Sequence, residues 1–301
     1  MDKLTWVLIA VMACADVALS AFYGITVDYV PILPFLCLAL SAVFTRLWPN
    51  PYIASIAMAV AQFELVLVAT GVFNYLSIAL GFRPIDAELE AIDRVLGVDW
   101  PALWSLVVAR PRLRAILGLF YSSLAIQLAI LVFTMTVTSR FERVRELLVL
   151  TSTTLVICVL IAAVLPSDGT WGYYGISGET DGYLPLLRGI RSGEVTTITV
   201  LHGGVTFPSW HTIMAVVLVY VCRGIPWLFV PALFLNAGML VATPMIGGHY
   251  FVDIYAGLVL AAVVIVGLRR ASITVPHKCA LVDDVGERGS GSRADMGPDA
   301  M

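Results

Sequence analysis

Two short clusters in this 301-residue chain carry residue types able to do chemistry. The first is Phe207-Pro208-Ser209-Trp210-His211-Thr212, and the second is Gly247-Gly248-His249-Tyr250-Phe251-Val252-Asp253. His249 and Asp253 stand four positions apart, so a helix stacks them on one face and lets the carboxylate hold one imidazole nitrogen. The other ring nitrogen is then free to attack an electrophile, and a second histidine, His211, can give a proton to a departing oxygen. Each cluster also has a bland reading. A His-x-x-x-Asp pair at a membrane interface is most often a satisfied polar pair, and Ser209 ahead of an apolar run can simply cap a helix. Convergence favours chemistry: ionisable groups at membrane depth are functional candidates, and three of them fall on one face of the expected topology.

That topology follows from hydropathy. The chain is 59% hydrophobic and 13% charged, with a mean hydropathy of +0.92, whereas a soluble domain carries roughly a quarter charged residues. Too little polar surface exists to cover a water-soluble globule, so an all-α polytopic transmembrane bundle is expected. Apolar runs near the ~20 residues a span needs lie around 4–23, 31–48, 53–80, 114–137, 147–165, 209–223, 226–244 and 250–268, about eight spans. The first run lacks a clear small-residue cleavage site and reads as a retained span. Lys3, Arg46, Arg140, Arg143, Arg145, Arg223, Arg269 and Arg270 fall on one side if the spans alternate, and the positive-inside rule makes that side cytoplasmic. Both clusters then open on the opposite, outer face. Arg83, Arg94, Arg110, Arg112 and Arg114 fall on the outer side too, in a long segment where the rule loses force.

The outer segments are the elements that must position the clusters. Over 81–113, Ile85, Leu89, Ile92 and Leu96 form one helical stripe with Asp86, Glu90, Asp93 and Arg94 off it and Gly97 as a stop. An amphipathic helix on the outer surface is expected, its stripe satisfied by lipid headgroups, with a lid over a site as the alternative. Trp100 and Trp104 fit an interfacial aromatic belt. The second outer segment, 166–207, holds Ser167, Asp168, Trp171, Tyr173, Tyr174, Glu179, Asp181, Arg188 and Arg191, and a connection of that length with so many aromatics reads as functional. His202 is expected to line this loop. Inside the spans, Gln127 and Asn236 are expected to hydrogen-bond between helices, while Asp16 and Glu64 mark either a proton path or protonated, paired carboxyls.

Several classes are excluded. Net charge is −3 with no basic block, so neither a nucleic-acid footprint nor a polybasic lipid patch is present. The five cysteines show no CxxC spacing, and four lie in apolar runs as small hydrophobes. No cluster of carboxylates or Cys/His has metal-ligand spacing, so neither a metal nor another cofactor is expected.

Pro-Ser-Trp-His followed by Gly-Gly-His-Tyr-Phe-Val-Asp resembles the second and third signature motifs of the type-2 phosphatidic acid phosphatase superfamily. The wording Phe-Pro-Ser-x-His and His-Tyr-x-x-Asp is most similar to its inositol phosphorylceramide synthase-like branch. The resemblance implies a six-helix phosphatase-like core and a metal-independent lipid phosphatase or phosphotransferase working through a phosphohistidine. Carried over, it makes His249 the nucleophile, Asp253 its orienting carboxylate and His211 the acid and base. Ser209 would bind a phosphate oxygen, helped by N–H groups at the start of the sixth span. The chain departs from the pattern at Trp210, where family phosphatases usually have Gly, and at Thr243, where they have an arginine six residues before the nucleophile. The first motif, with its Lys and Arg-Pro, is not recognisable. Arg188 and Arg191 are the nearest substitute phosphate ligands, with pairing to Asp181 or Glu194 as their structural alternative. The implied partners are a lipid phosphate and the surrounding lipids, in a multi-pass inner-membrane protein whose site faces the periplasm or a lumen. The expected domains are an N-terminal helix pair (1–52), the phosphatase-like membrane domain (53–270) and a disordered cytoplasmic tail (271–301). Two other readings are a transporter using Asp16 and Glu64, and a catalytically silent relative.

Overall fold

The computed structural model describes residues 3–28, 32–176, 179, 183–199 and 205–274. The tail beyond 274, with Cys279, lies outside them, as do Asp181 and His202. Two compact units divide the chain, Met1–Ile265 and Val266–Met301, and everything below concerns the first.

All eight apolar runs are helical. In chain order the helices are α1 (Lys3–Tyr23), α2 (Ile32–Arg46), α3 (Pro51–Ser77), α4 (Asp86–Val95), α5 (Trp100–Val108), α6 (Pro111–Val137), α7 (Phe141–Val164), α8 (Gly169–Tyr174), α9 (Leu184–Ser192), α10 (Trp210–Val221), α11 (Pro226–Ile246) and α12 (Phe251–Thr274). α1, α3, α6, α7, α11 and α12 are long and apolar enough to cross a membrane, whereas α2 and α10 are apolar but shorter. The long helices are hydrophobic all round, as helices bounded by lipid and by each other must be. α3 starts where Asn50 Oδ1 accepts from the N–H groups of Tyr52 and Ile53, with Pro51 in the first helical position. α1, α3 and α7 bury a common core that includes Met12, Val66, Phe73 and Val159. The expected interhelical bond is present: Asn236 Nδ2 on α11 donates to Gln127 Oε1 on α6 at 2.8 Å.

The bundle has two chemically distinct ends. At one, Arg143 and Arg223 both donate to Glu146, tying the start of α7 to the end of α10. At the other lie α4, α5, α8, α9 and both clusters. A two-residue parallel pairing of Thr26–Val27 with Thr197–Ile198 fastens the α1–α2 connection to the chain beyond α9.

α10, of 12 residues, rises only about 18 Å, little more than half the ~30 Å hydrocarbon thickness. His211 stacks on Tyr121, which lies about 15 Å of helical rise along α6 from Pro111.

The 81–113 segment corrects the expectation drawn from its periodicity. α4 buries Asp86, Glu90 and Asp93 beside Leu89 of the expected stripe, and leaves Ile92 (44%) and Leu96 (55%) exposed. The acids win the interior because unpaired backbone N–H groups of other segments wait there, and a buried N–H without an acceptor costs more than an exposed isoleucine gains by burial. Trp100 is likewise not part of a lipid-facing belt. It is buried, donates its indole N–H to the Pro244 carbonyl at 3.1 Å, and stacks between Trp104 and Tyr174.

Candidate active site

α11 ends at Ile246, and the chain must reverse at once to start α12 at Phe251. Gly248 makes that turn with φ +65°, a left-handed conformation open to glycine at little cost. Space demands glycine there as well, since a Cβ would stand 2.7 Å from the Trp171 ring. The Gly248 carbonyl accepts from Thr170 N at 2.8 Å, so the loop is clamped from α8.

The turn delivers His249 to the loop just ahead of α12, two residues before the helix begins, beside Asp253. His249 Nδ1 lies 3.2 Å from Asp253 Oδ2, and the same oxygen accepts from Tyr250 N at 2.9 Å. With Nδ1 bonded to the carboxylate, Nε2 is the nitrogen left for chemistry. Asp253 is fully buried, and its Oδ1 has no hydrogen-bond partner among the described residues.

The first cluster packs directly on the second. Ser209 N donates to the Asp253 backbone carbonyl at 3.2 Å, while Ser209 Oγ accepts from Thr212 N and so caps α10. The close approach of α10 and α12 needs Gly257, where a Cβ would meet the Ser209 carbonyl oxygen at 2.8 Å. His211, in the first turn of α10, stacks on Tyr121 with ring centroids 3.9 Å apart and planes 17° from parallel. Tyr121 and His249 then flank one point: a Cβ on Gly247 would lie 2.8 Å from Tyr121 Cε2 and 2.7 Å from His249 Cδ2. His211, Tyr121, His249 and Asp253 thus form one contiguous cluster recessed between α6, α10 and α12. Tyr121 carried no motif, and only its place in an apolar span hid it.

The inward acids of α4 hold this cluster in place. Asp93 is completely buried, and its two oxygens accept from Phe251 N at 2.7 Å and Val252 N at 2.9 Å, the N–H groups that follow His249–Tyr250 at the open end of α12. Asp86 Oδ1 accepts from Ser167 Oγ, Gly169 N and Tyr250 Oη, and its Oδ2 accepts from Asp168 N. One carboxylate therefore joins the α7–α8 turn to the residue after His249. Burial pushes both carboxyl groups above their ordinary value of 3.8, against the opposing pull of those donors.

Arg188 and Arg191 on α9 both pair with Asp168, Arg188 through Oδ2 at 3.2 Å and Arg191 through Oδ1 at 3.1 Å. Their acidic partner is thus Asp168, which leads into Gly169, and Gly169 packs on the Gly248 carbonyl. The two guanidiniums reach the His249 loop through Asp168, whose backbone N–H is in turn held by Asp86. At the family's arginine position, Thr243 is buried and donates its hydroxyl to Met239 O in its own helix at 2.7 Å.

Beneath His211 opens a cleft of about 560 Å³ between α3, α6 and α7. Among the described residues, no group of three or more His, Cys, Asp or Glu side chains is placed to hold a metal ion.

The family model of the PAP2 superfamily matches residues 87–267, more than half of the chain, and the protein belongs to that superfamily. No curated protein and no solved structure matches it.

Proposed function

From its membership of the PAP2 superfamily, we propose that this membrane protein hydrolyses or transfers the phosphate ester of a lipid through a phosphohistidine at His249. The observation that carries the reading is the buried contact of His249 Nδ1 with Asp253 Oδ2, which leaves Nε2 for chemistry, while Tyr121, on which His211 stacks, flanks Gly247 together with the His249 ring.

In the first step Nε2 attacks phosphorus, the P–N bond forms and the bond from phosphorus to the lipid oxygen breaks. His211 supplies the proton that the departing alkoxide takes up. Asp253 stabilises the positive charge that His249 acquires. In the second step His211, now neutral, removes a proton from water or an acceptor hydroxyl, whose oxygen displaces His249 and regenerates the free imidazole. Ser209 Oγ accepts from Thr212 N and keeps its own hydrogen to donate to a phosphoryl oxygen, next to the N–H groups opening α10. Arg188 and Arg191 are assigned as phosphate ligands of this reading, linked to the His249 loop through Asp168. No metal ion is assigned a role in these steps.

Thr243 in place of the usual arginine, together with the Phe-Pro-Ser-x-His wording, favours the inositol phosphorylceramide synthase-like branch, in which an alcohol takes the place of water. The gathering of Arg46, Arg140, Arg143, Arg145 and Arg223 at the end away from His249 favours a site facing the periplasm or a lumen. The test is phosphate release from a panel of lipid phosphates by purified protein, with and without acceptor alcohols, and by His249→Ala. Turnover that survives in the variant would overturn the mechanism; a phosphorylated His249 trapped by rapid acid quench would support it.

A further inference from the structure

The cleft under His211 is lined on α3 by Ile56, Val60, Phe63, Glu64 and Leu67, on α6 by residues from Tyr121 to Val132, and also by Leu147 on α7 and His211 on α10. On each long wall the lining covers about 16 Å of helical rise, about half of the ~30 Å hydrocarbon core. Ser122, Ala125 and Ala129 are exposed along the α6 wall, so small side chains leave the cleft open on the side of the bundle.

Its polarity is graded. α3 and α6 run antiparallel, as the contact of Tyr52 Oη at the start of α3 with Ser139 Oγ just past α6 requires. Glu64 therefore stands toward the same end as Tyr121, Ser122 and His211, about 5 Å of rise from Leu67 and about 12 Å from Ile56. The other end, at Ile56, Val132, Leu147 and Leu148, is wholly apolar. Such a cavity orients an amphiphile with its polar end at the histidines and its chain toward Leu147.

Glu64 is the anomaly. A carboxyl group facing a hydrocarbon cavity is expensive unless something bonds it, and no protein hydrogen bond to it is present among the described residues. A molecule seated in the cleft can supply a donor to Glu64, at the level where a lipid's head joins its chain.

Building on the proposed lipid-phosphate reaction, we infer that the cleft seats the hydrocarbon chain of the substrate and that Glu64 accepts a hydrogen bond from a free hydroxyl or amide N–H carried beside the phosphate. Glu64 is thereby a specificity residue that favours lipid phosphates with such a donor over those whose neighbouring oxygen is esterified or alkylated.

The test uses two lipids that differ only in the donor: a 1-acyl lysophosphatidate and its 2-O-methyl ether. For the full chain in detergent micelles, the ratio of kcat/KM values for hydroxyl over ether is expected to be about tenfold, the worth of one hydrogen bond to a carboxyl. In Glu64→Leu the ratio falls to near one, and in Glu64→Gln, which keeps an acceptor oxygen, it is intermediate. A fold defect lowers both rates together and leaves the ratio in place. An equal ratio in wild type and Glu64→Leu overturns the inference.

A second measurement needs no catalysis. In a His249→Ala background, the hydroxyl lipid is expected to raise the melting temperature more than the ether, and the difference vanishes when Glu64→Leu is added. Equal shifts by both lipids, or none, overturn the inference as well. A donor-dependent shift in a protein that releases no phosphate from either lipid overturns the proposed reaction and leaves the role of Glu64 standing.

Discussion

Removing the Asp93 carboxylate should damage catalysis without touching substrate. Asp93 lies on α4, yet its two oxygens are the acceptors for Phe251 N and Val252 N, at 2.7 and 2.9 Å, in the first turn of α12. Each hydrogen bond to an ionised group is worth about 1.5–3 kcal/mol. Asp93→Ala therefore leaves two half-buried donors unmet and should destabilise the α4–α12 junction by at most about 3–6 kcal/mol, a large share of the ~5–15 kcal/mol that holds a domain together. Partial relaxation at the His249 turn would absorb some of that cost by moving the imidazole. A displacement of about 1 Å at a reacting group costs on the order of a hundredfold in rate. The expected result is a lowered melting temperature and a kcat down about a hundredfold with KM little changed, because Asp93 is buried away from the cleft. Asp93→Asn, which keeps one acceptor oxygen, should lie between. Glu88→Ala, on the exposed face of the same helix and paired with Arg83, is the control and should resemble wild type. Wild-type kcat and melting temperature in Asp93→Ala would refute the account of how α4 positions His249.

Three further outcomes follow from the same geometry. Gly248→Ala combines a positive φ with a Cβ 2.7 Å from Trp171, so it should cost about 1–3 kcal/mol in a thermal or denaturant melt and lower phosphate release; an unperturbed melt would contradict the clamp drawn here. Asp86 and Asp93 have folded pKa values raised above 3.8, so the folded chain binds more protons than the unfolded one above that pH. Their contribution is fully present below pH 3.8, declines as pH rises through the raised values, and should flatten in Asp86→Asn when melting temperature is followed against pH. Asn236→Leu removes the donor to Gln127 between α6 and α11 and should cost about 0.6–1.7 kcal/mol with phosphate release retained, read by the same melt and assay.

The apolar runs alone determined the membrane-spanning helices, because a helix bounded by hydrocarbon has to be apolar over its length. The pairing of His249 with Asp253 was legible from their spacing, but its geometry was not: His249 lies in the loop two residues ahead of α12, and Asp253 reaches back from the first turn to meet it together with Tyr250 N. The orientation of α4 was not legible either. Periodicity tells which residues share a face and is silent about what that face meets, and the donors that draw Asp86 and Asp93 inward belong to residues 167–169 and 250–252, far along the chain. The same holds for Asp168 as the shared partner of Arg188 and Arg191, for Tyr121 as the platform under His211, and for the opening of a cleft at Glu64. Each depends on which helices lie side by side, and packing over the whole bundle decides that, beyond the reach of any local pattern.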